Sequence, residues 1–196
     1  MKRTLSLLSL TLLLGACVDT TGISPQSSVT PKGNPQSVAV VTEYADLECP
    51  ACRAAYDTVV KPILAKYGNQ IRYDYKHFPL RSIHRYTMDL AEASECAADQ
   101  GKFWEYVDMA FEKQPELKKG SASEWGMALV KDANLFSRCT RSHIKSKAIM
   151  AEYDEGVAMG VQGTPTFFVN GRQVPATVDD LSAAIDAQLK GAQQRL

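Results

Sequence analysis

Val38-Ala39-Val40-Val41-Thr42-Glu43-Tyr44, then Ala45-Asp46-Leu47-Glu48, then Cys49-Pro50-Ala51-Cys52, then an amphipathic run from Arg53 to about Tyr67: this order decides the fold. The first run is β-prone and almost continuously apolar, the pattern of a strand covered on both faces of a sheet. The last run carries Tyr56, Val59, Val60, Ile63 and Leu64 on one side of a helix, and Pro62 is expected to kink it. Strand, Cys-x-x-Cys and helix in succession put Cys49 at a helix N-terminus. Pro50 falls in the first turn, where its missing N–H leaves nothing unpaired. Free backbone N–H groups and the positive end of the helix dipole favour a thiolate there. A lowered pKa makes Cys49 an exposed nucleophile and a good leaving group. Cys52, one turn further in, is less exposed and within reach of a disulfide. The rival reading is half of a structural zinc site, but Cys96 and Cys139 stand far apart in the sequence with no His in a ligand pattern beside them, so no metal is expected.

A second segment adds weight. Gly163-Thr164-Pro165-Thr166 leads into Phe167-Phe168-Val169, then Asn170-Gly171, then Arg172-Gln173-Val174. Asn-Gly between two β-prone runs is the strongest short signal for a hairpin. Pro165, just before the first of these strands, cannot donate to a ladder and is a candidate cis-proline; an ordinary trans-proline at a strand start is the alternative.

Together these residues resemble the thioredoxin superfamily, and within it the DsbA-like branch of thiol–disulfide oxidoreductases. Glu43 in its buried strand, Cys49-Pro50-Ala51-Cys52, Lys76-His77-Phe78-Pro79-Leu80, Cys96-Ala97-Ala98-Asp99-Gln100-Gly101-Lys102-Phe103-Trp104 and Gly163 to Gly171 carry the resemblance, which spans roughly residues 38–190. It implies an α/β protein, a thioredoxin fold with an inserted α-helical domain. The first part of the thioredoxin domain would cover 38–81, with a strand over about 71–77. The helical insertion would cover 82–160, where Ala, Glu, Lys, Met and Leu dominate. The second part would cover 161–196, ending in a helix over about 178–189. Carried over residue by residue, Cys49 is attacked first and Cys52 resolves. Thr164-Pro165 faces the disulfide and offers backbone to a substrate strand. Glu43 matches a buried acid near the resolving thiol, with a pKa raised by desolvation; a solvated residue at the strand end is the alternative. Glu48 is read as a surface residue. The Pro50-Ala51 pair brings no charge, so a moderately oxidising disulfide is expected. Cys96 and Cys139 both fall in the helical block. A structural disulfide there would contribute about 4 kcal/mol by chain entropy; two free thiols or a second redox pair are the rival states.

The beginning of the sequence reads as an address. Lys2 and Arg3 precede the Leu-rich run Leu5 to Leu14, which is about half the length a bilayer core requires. Leu14-Gly15-Ala16-Cys17 looks like a lipobox, making residues 1–16 a lipoprotein signal peptide and Cys17 a lipidated first residue; plain secretory cleavage is the alternative. Residues 17–37, rich in Thr, Ser, Pro, Gly, Gln and Asn, read as a flexible tether. An envelope compartment, with the protein lipid-anchored and facing the periplasm or exterior, allows disulfides to persist.

The chain has 196 residues, with 22 Lys+Arg against 22 Asp+Glu, 45% hydrophobic and 22% charged. That composition excludes a disordered chain and a polytopic membrane protein, and zero formal charge argues against nucleic-acid binding. His77, His84 and His143 are spread out and read as structural, as do Trp104 and Trp125. The expected activity is disulfide formation or exchange in exported proteins, with no cofactor, by a monomer. Its partners would be unfolded or reduced exported proteins and a membrane redox partner that resets the active site. Oxidase is favoured over isomerase because residues 17–37 are too short for a dimerisation module, although Thr164 also suits isomerases. A copper-binding lipoprotein using Cys49 and Cys52 is the non-enzymatic alternative.

Overall fold

The computed structural model describes residues 18–194. The candidate signal peptide and Cys17 lie outside them. Among the described residues no helix is long and apolar enough to cross a membrane.

Strand β1 (Lys32–Gly33) and β2 (Val40–Ala45) are followed by α1 (Pro50–Ala55), a π-helical turn over Tyr56–Val60, α2 (Lys61–Tyr67) and β3 (Arg72–His77). The expected kink at Pro62 takes the form of that π turn. The Lys61 N–H bonds Tyr56 O, five residues back, immediately before the proline that cannot donate. Helices α3 (Thr87–Ala98), α4 (Phe103–Glu112), α5 (Ser121–Leu129), α6 (Ala133–Ser142) and α7 (Ser146–Ala158) lie between β3 and the hairpin of β4 (Thr166–Val169) and β5 (Arg172–Val174). Helix α8 (Val178–Gln193) closes the chain. The sheet order is β1-β3-β2-β4-β5, with β2 and β3 parallel and the other pairs antiparallel. Asn170 and Gly171 both take positive φ (48° and 78°), the turn that matches the twist of a two-residue hairpin.

Strand β2 is central, and its side chains divide the core. Val41 and Ala45 join Tyr73, Tyr75, Phe167 and Val169 in the main cluster with α1, α2 and the insertion. Tyr44, on the other face, meets Phe78, Phe168 and Val161 in a smaller cluster. Helix α7 comes very close here: a Cβ on Gly156 would lie 2.8 Å from Phe78 Cδ2 and 2.9 Å from the Tyr44 ring.

The reading of residues 17–37 as a flexible tether needs correction where the structure describes them, from 18 to 37. Ile23 is buried, and the segment straps the helical block through polar contacts. Ser27 Oγ donates to Glu95 Oε1 (2.9 Å), Ser28 Oγ to Asp99 Oδ1 (2.6 Å) and Trp104 Nε1 to Thr30 O (2.9 Å). Lys145 is fully buried. Its ammonium is paired with Asp99 (2.7 Å) and donates to Gln26 O (2.8 Å), so the strap supplies part of what that charge needs away from water. Composition concealed this because hydroxyls and carbonyls, rather than an apolar period, carry the attachment.

Cys96 of α3 and Cys139 of α6 form a disulfide across a sequence separation of 43. Removing a cross-link of that span relaxes the unfolded chain. The Cys96→Ala/Cys139→Ala protein is expected to fold but to lose about 2–4 kcal/mol in urea unfolding; an unchanged midpoint would show that the bond contributes nothing.

Candidate active site

Strand β2 ends at Ala45, and the four residues after it turn the chain into α1. Cys49 is the N-cap of that helix (φ −75°, ψ 121°), and Pro50 takes the first helical position. Proline fits there because the first-turn N–H groups have no partner within the helix. The turn is held by the Cys49 N–H to Asp46 O (3.0 Å) and by Gln114, whose Nε2 donates to Leu47 O (2.9 Å) and Cys49 O (3.1 Å). Both active-site sulfurs are free thiols in this structure.

The two thiols are pushed in opposite directions. Cys49 falls from 9.0 to about 5. The leading cause is a hydrogen bond from the Cys52 thiol. Bonding with Thr164 and the N–H groups of Cys52 and Ala51 lowers it further, against desolvation. The helix start therefore contributes, but the neighbouring thiol contributes more, which reorders the sequence-based expectation. Cys52 is driven well above its ordinary value, first by burial, then by its bond to Cys49 and the charge of Glu43. Cys49 is also less open than expected. It is 6% exposed, against 0% for Cys52, because Thr164 O sits 3.5 Å from its sulfur on the facing loop. It is nonetheless the more accessible of the pair.

The Thr164–Pro165 peptide bond is cis, and both residues are half-buried beside Cys49. Pro50 is exposed, and Ala51 contributes its N–H to the Cys49 sulfur.

Glu43 lies fully buried beneath the pair. Tyr73 O–H donates to its Oε2, while Oε1 accepts no hydrogen bond. Desolvation raises its pKa from 4.5 to about 7, and the Tyr73 bond pulls the other way. A carboxyl poised near neutrality can hold or release the proton that Cys52 exchanges.

Several residues of the site were missed in the sequence. The Asp46 N–H points at Cys52 Sγ (3.5 Å). Its carboxylate accepts from the N–H groups of Glu48 (2.8 Å) and Leu80 (2.9 Å) and meets His84 Nδ1 at 2.7 Å. Glu48 is not a free surface residue: its Oε2 takes the Tyr86 N–H at 2.5 Å and ties the entry of α3 to the active-site turn. The histidines, read as structural, each face a carboxylate that the sequence did not reveal: His84 on Asp46, His143 on Glu92 (2.6 Å) and His77 beside Glu95 (3.6 Å). These partners lie 18 to 51 residues apart in sequence, beyond the reach of local pattern. One signal was available. In β3 the buried positions alternate, and Tyr73, Tyr75 and His77 share the face of Glu43.

The thioredoxin family model matches residues 27–187. The chain belongs to that family. Among curated proteins it is 36% identical over 166 residues to the Na(+)/H(+) antiporter NhaA 3 of Salinispora tropica, covering 84% of this chain and 25% of that protein. The chain thus spans about a quarter of the length of the curated relatives it matches. Among solved structures, BdbD from Bacillus subtilis superposes with a TM-score of 0.75 at 20% identity, covering 85% of this chain and 97% of that one. Alpha-DsbA1 from Wolbachia pipientis gives 0.69 at 21%, covering 85% and 93%. Identities this low establish likeness of fold: the α/β thioredoxin architecture and DsbA-like resemblance read from the sequence hold.

Two titrations follow. Alkylation of the reduced protein is expected to be half-maximal near pH 5 for Cys49, where an unperturbed thiol would react half-maximally near 8.5. The depressed folded value also makes the Cys49 contribution to the stability of the reduced form complete above about pH 9 and lost as pH falls through about 5. Glu43 is common to both redox forms, so the stability of reduced relative to oxidised protein is expected to rise with pH between these limits. Urea midpoints of the two forms at several pH values check this, and a flat difference contradicts it.

Proposed function

We propose that this chain is a thiol–disulfide oxidoreductase that forms or exchanges disulfides in exported proteins. The observation that carries this is the placement of the two free thiols, Cys49 capping the start of α1 beside the cis Thr164–Pro165 loop and Cys52 buried one turn further in. In the oxidised protein, a substrate thiolate attacks Cys49 Sγ, the 49–52 bond breaks, and its electron pair leaves on Cys52. That sulfur is stable as a thiol and takes up a proton, for which the Glu43 carboxyl is the buried donor. A second substrate thiolate then attacks the substrate sulfur of the mixed disulfide. Cys49 leaves as a thiolate, which its surroundings stabilise. The substrate loses two electrons and the pair gains them. A membrane redox partner reoxidises the pair.

The loop of Thr164 and Pro165 supports a substrate chain lying extended across Cys49, with backbone groups open to strand-like pairing. In this proposal the protein works in the cell envelope, lipid-anchored through Cys17, which lies outside the described residues. The Cys96–Cys139 bond supports an oxidising compartment, where such bonds persist. The copper-binding alternative has less support: among the described residues the active-site cysteines join no third His, Cys, Asp or Glu ligand.

A Cys52→Ser protein mixed with a reduced unfolded substrate is expected to accumulate a covalent complex through Cys49 that dithiothreitol releases. Cys49→Ser is expected to give no complex and background activity in refolding of the same substrate. Undiminished refolding by Cys49→Ser would overturn the assignment.

A further inference from the structure

Away from the thiols, three side chains from three elements converge in the interior. His77 ends β3, Glu95 lies on α3 and Glu152 on α7, and a ligand atom of each lies within 4.8 Å of the others. His77 and Glu95 are both 2% exposed, while the Glu152 side chain retains 17% at the outer edge. We propose that His77, Glu95 and Glu152 bind one divalent transition-metal ion, which joins the sheet, the insertion and the last helix before the Thr164–Pro165 loop.

His77 Nε2 and Glu95 Oε1 are 3.6 Å apart, too far for a hydrogen bond. Two ligands of a tetrahedral ion at bond lengths near 2.1 Å are separated by about 3.4 Å. One carboxylate oxygen in the cluster is left without a partner. Glu95 Oε1 accepts from Ser27, but Oε2 is buried with no partner, and a carboxylate oxygen left so is unfavourable by at least ~1–3 kcal/mol. Ser94 Oγ gives its proton to Ala91 O (2.8 Å) and lies 3.2 Å from His77 Nε2, so in this arrangement that nitrogen either donates to Ser94 Oγ or turns its lone pair to a cation.

The charge balance points the same way. Glu152 Oε2 accepts the backbone N–H of His77 (2.8 Å). The Lys76 ammonium stands 3.6 Å from its Oε1 and nearer, at 3.2 Å, to Glu155. One lysine at the edge is shared by two carboxylates, and Glu95 receives nothing from it. An open groove lined by Ser27, Arg72, Asp74 and Lys76 reaches the cluster at Glu152, its outer edge. One imidazole and two carboxylates suit zinc, manganese or ferrous iron rather than a soft ion.

The test uses the full-length chain with Cys49→Ser and Cys52→Ser, so that thiols cannot bind the probe. Zinc(II) is titrated calorimetrically into chelator-treated protein, and cobalt(II) is added in parallel. The expected result is one zinc per chain and a cobalt visible spectrum of tetrahedral type without a thiolate charge-transfer band. Affinity is expected to fall at least roughly tenfold in Glu95→Gln, whose side chain still accepts from Ser27, and in Glu152→Gln. Glu152 lies at the edge, so its variant remains informative if Glu95→Gln fails to fold. No binding, or binding that both glutamine variants leave unchanged (an adventitious ion only), overturns the proposal.

Discussion

The negative charge that Cys49 can hold is the constraint around which the rest of the molecule is arranged. A sulfur covered by the opposite loop would ordinarily resist ionisation, because burial favours the neutral thiol. Here donors outweigh burial: the Cys52 thiol and the N–H groups of Ala51 and Cys52. The donors are in place only because β2 ends just before Cys49 and a proline starts the helix just after it. The second sulfur is pushed the opposite way by the same arrangement, since it is buried, donates to the first and lies in the field of Glu43. One sulfur that leaves easily and one that holds its proton make exchange directional.

That local geometry depends on distant parts of the chain. Gln114, just after α4, clasps two carbonyls of the active-site turn. Asp46 and Glu48 bind the segment from Leu80 to Tyr86 that leads into α3. The insertion is therefore part of the frame that fixes the thiols. It is itself fastened by the Cys96–Cys139 bond, by buried Lys145 and by the strap of residues 18–37. The strap also adds β1 to the sheet edge, where Lys32 pairs with Tyr73, the residue that holds Glu43.

Much of this was legible in the sequence, for physical reasons. The apolar run of β2, the Cys-Pro-Ala-Cys turn and the Asn-Gly hairpin are local signals, in which period, proline and left-handed turn residues act within a few positions. Glu43 stood out because a carboxylate in an apolar strand requires explanation. The supporting shell was hidden for the opposite reason. Asp46 with His84, Glu48 with Tyr86, and Gln114 with Cys49 are long-range pairs of common polar residues that look solvated one at a time. The strap was hidden because its contacts use backbone carbonyls and serine hydroxyls, which have no periodic signature. Burial of Cys49 depends on a loop more than a hundred residues away.

The reduction potential of the Cys49–Cys52 pair tests the central claim most directly. At pH 7 a Cys49 pKa near 5 stabilises the dithiol form by about two pKa units over an unperturbed thiol, or on the order of 60 mV. Equilibration with glutathione at pH 7 is therefore expected to give a potential above about −240 mV, on the oxidising side of thioredoxin. A value at or below about −270 mV would contradict the account, because it would mean that the fold does not favour the Cys49 thiolate.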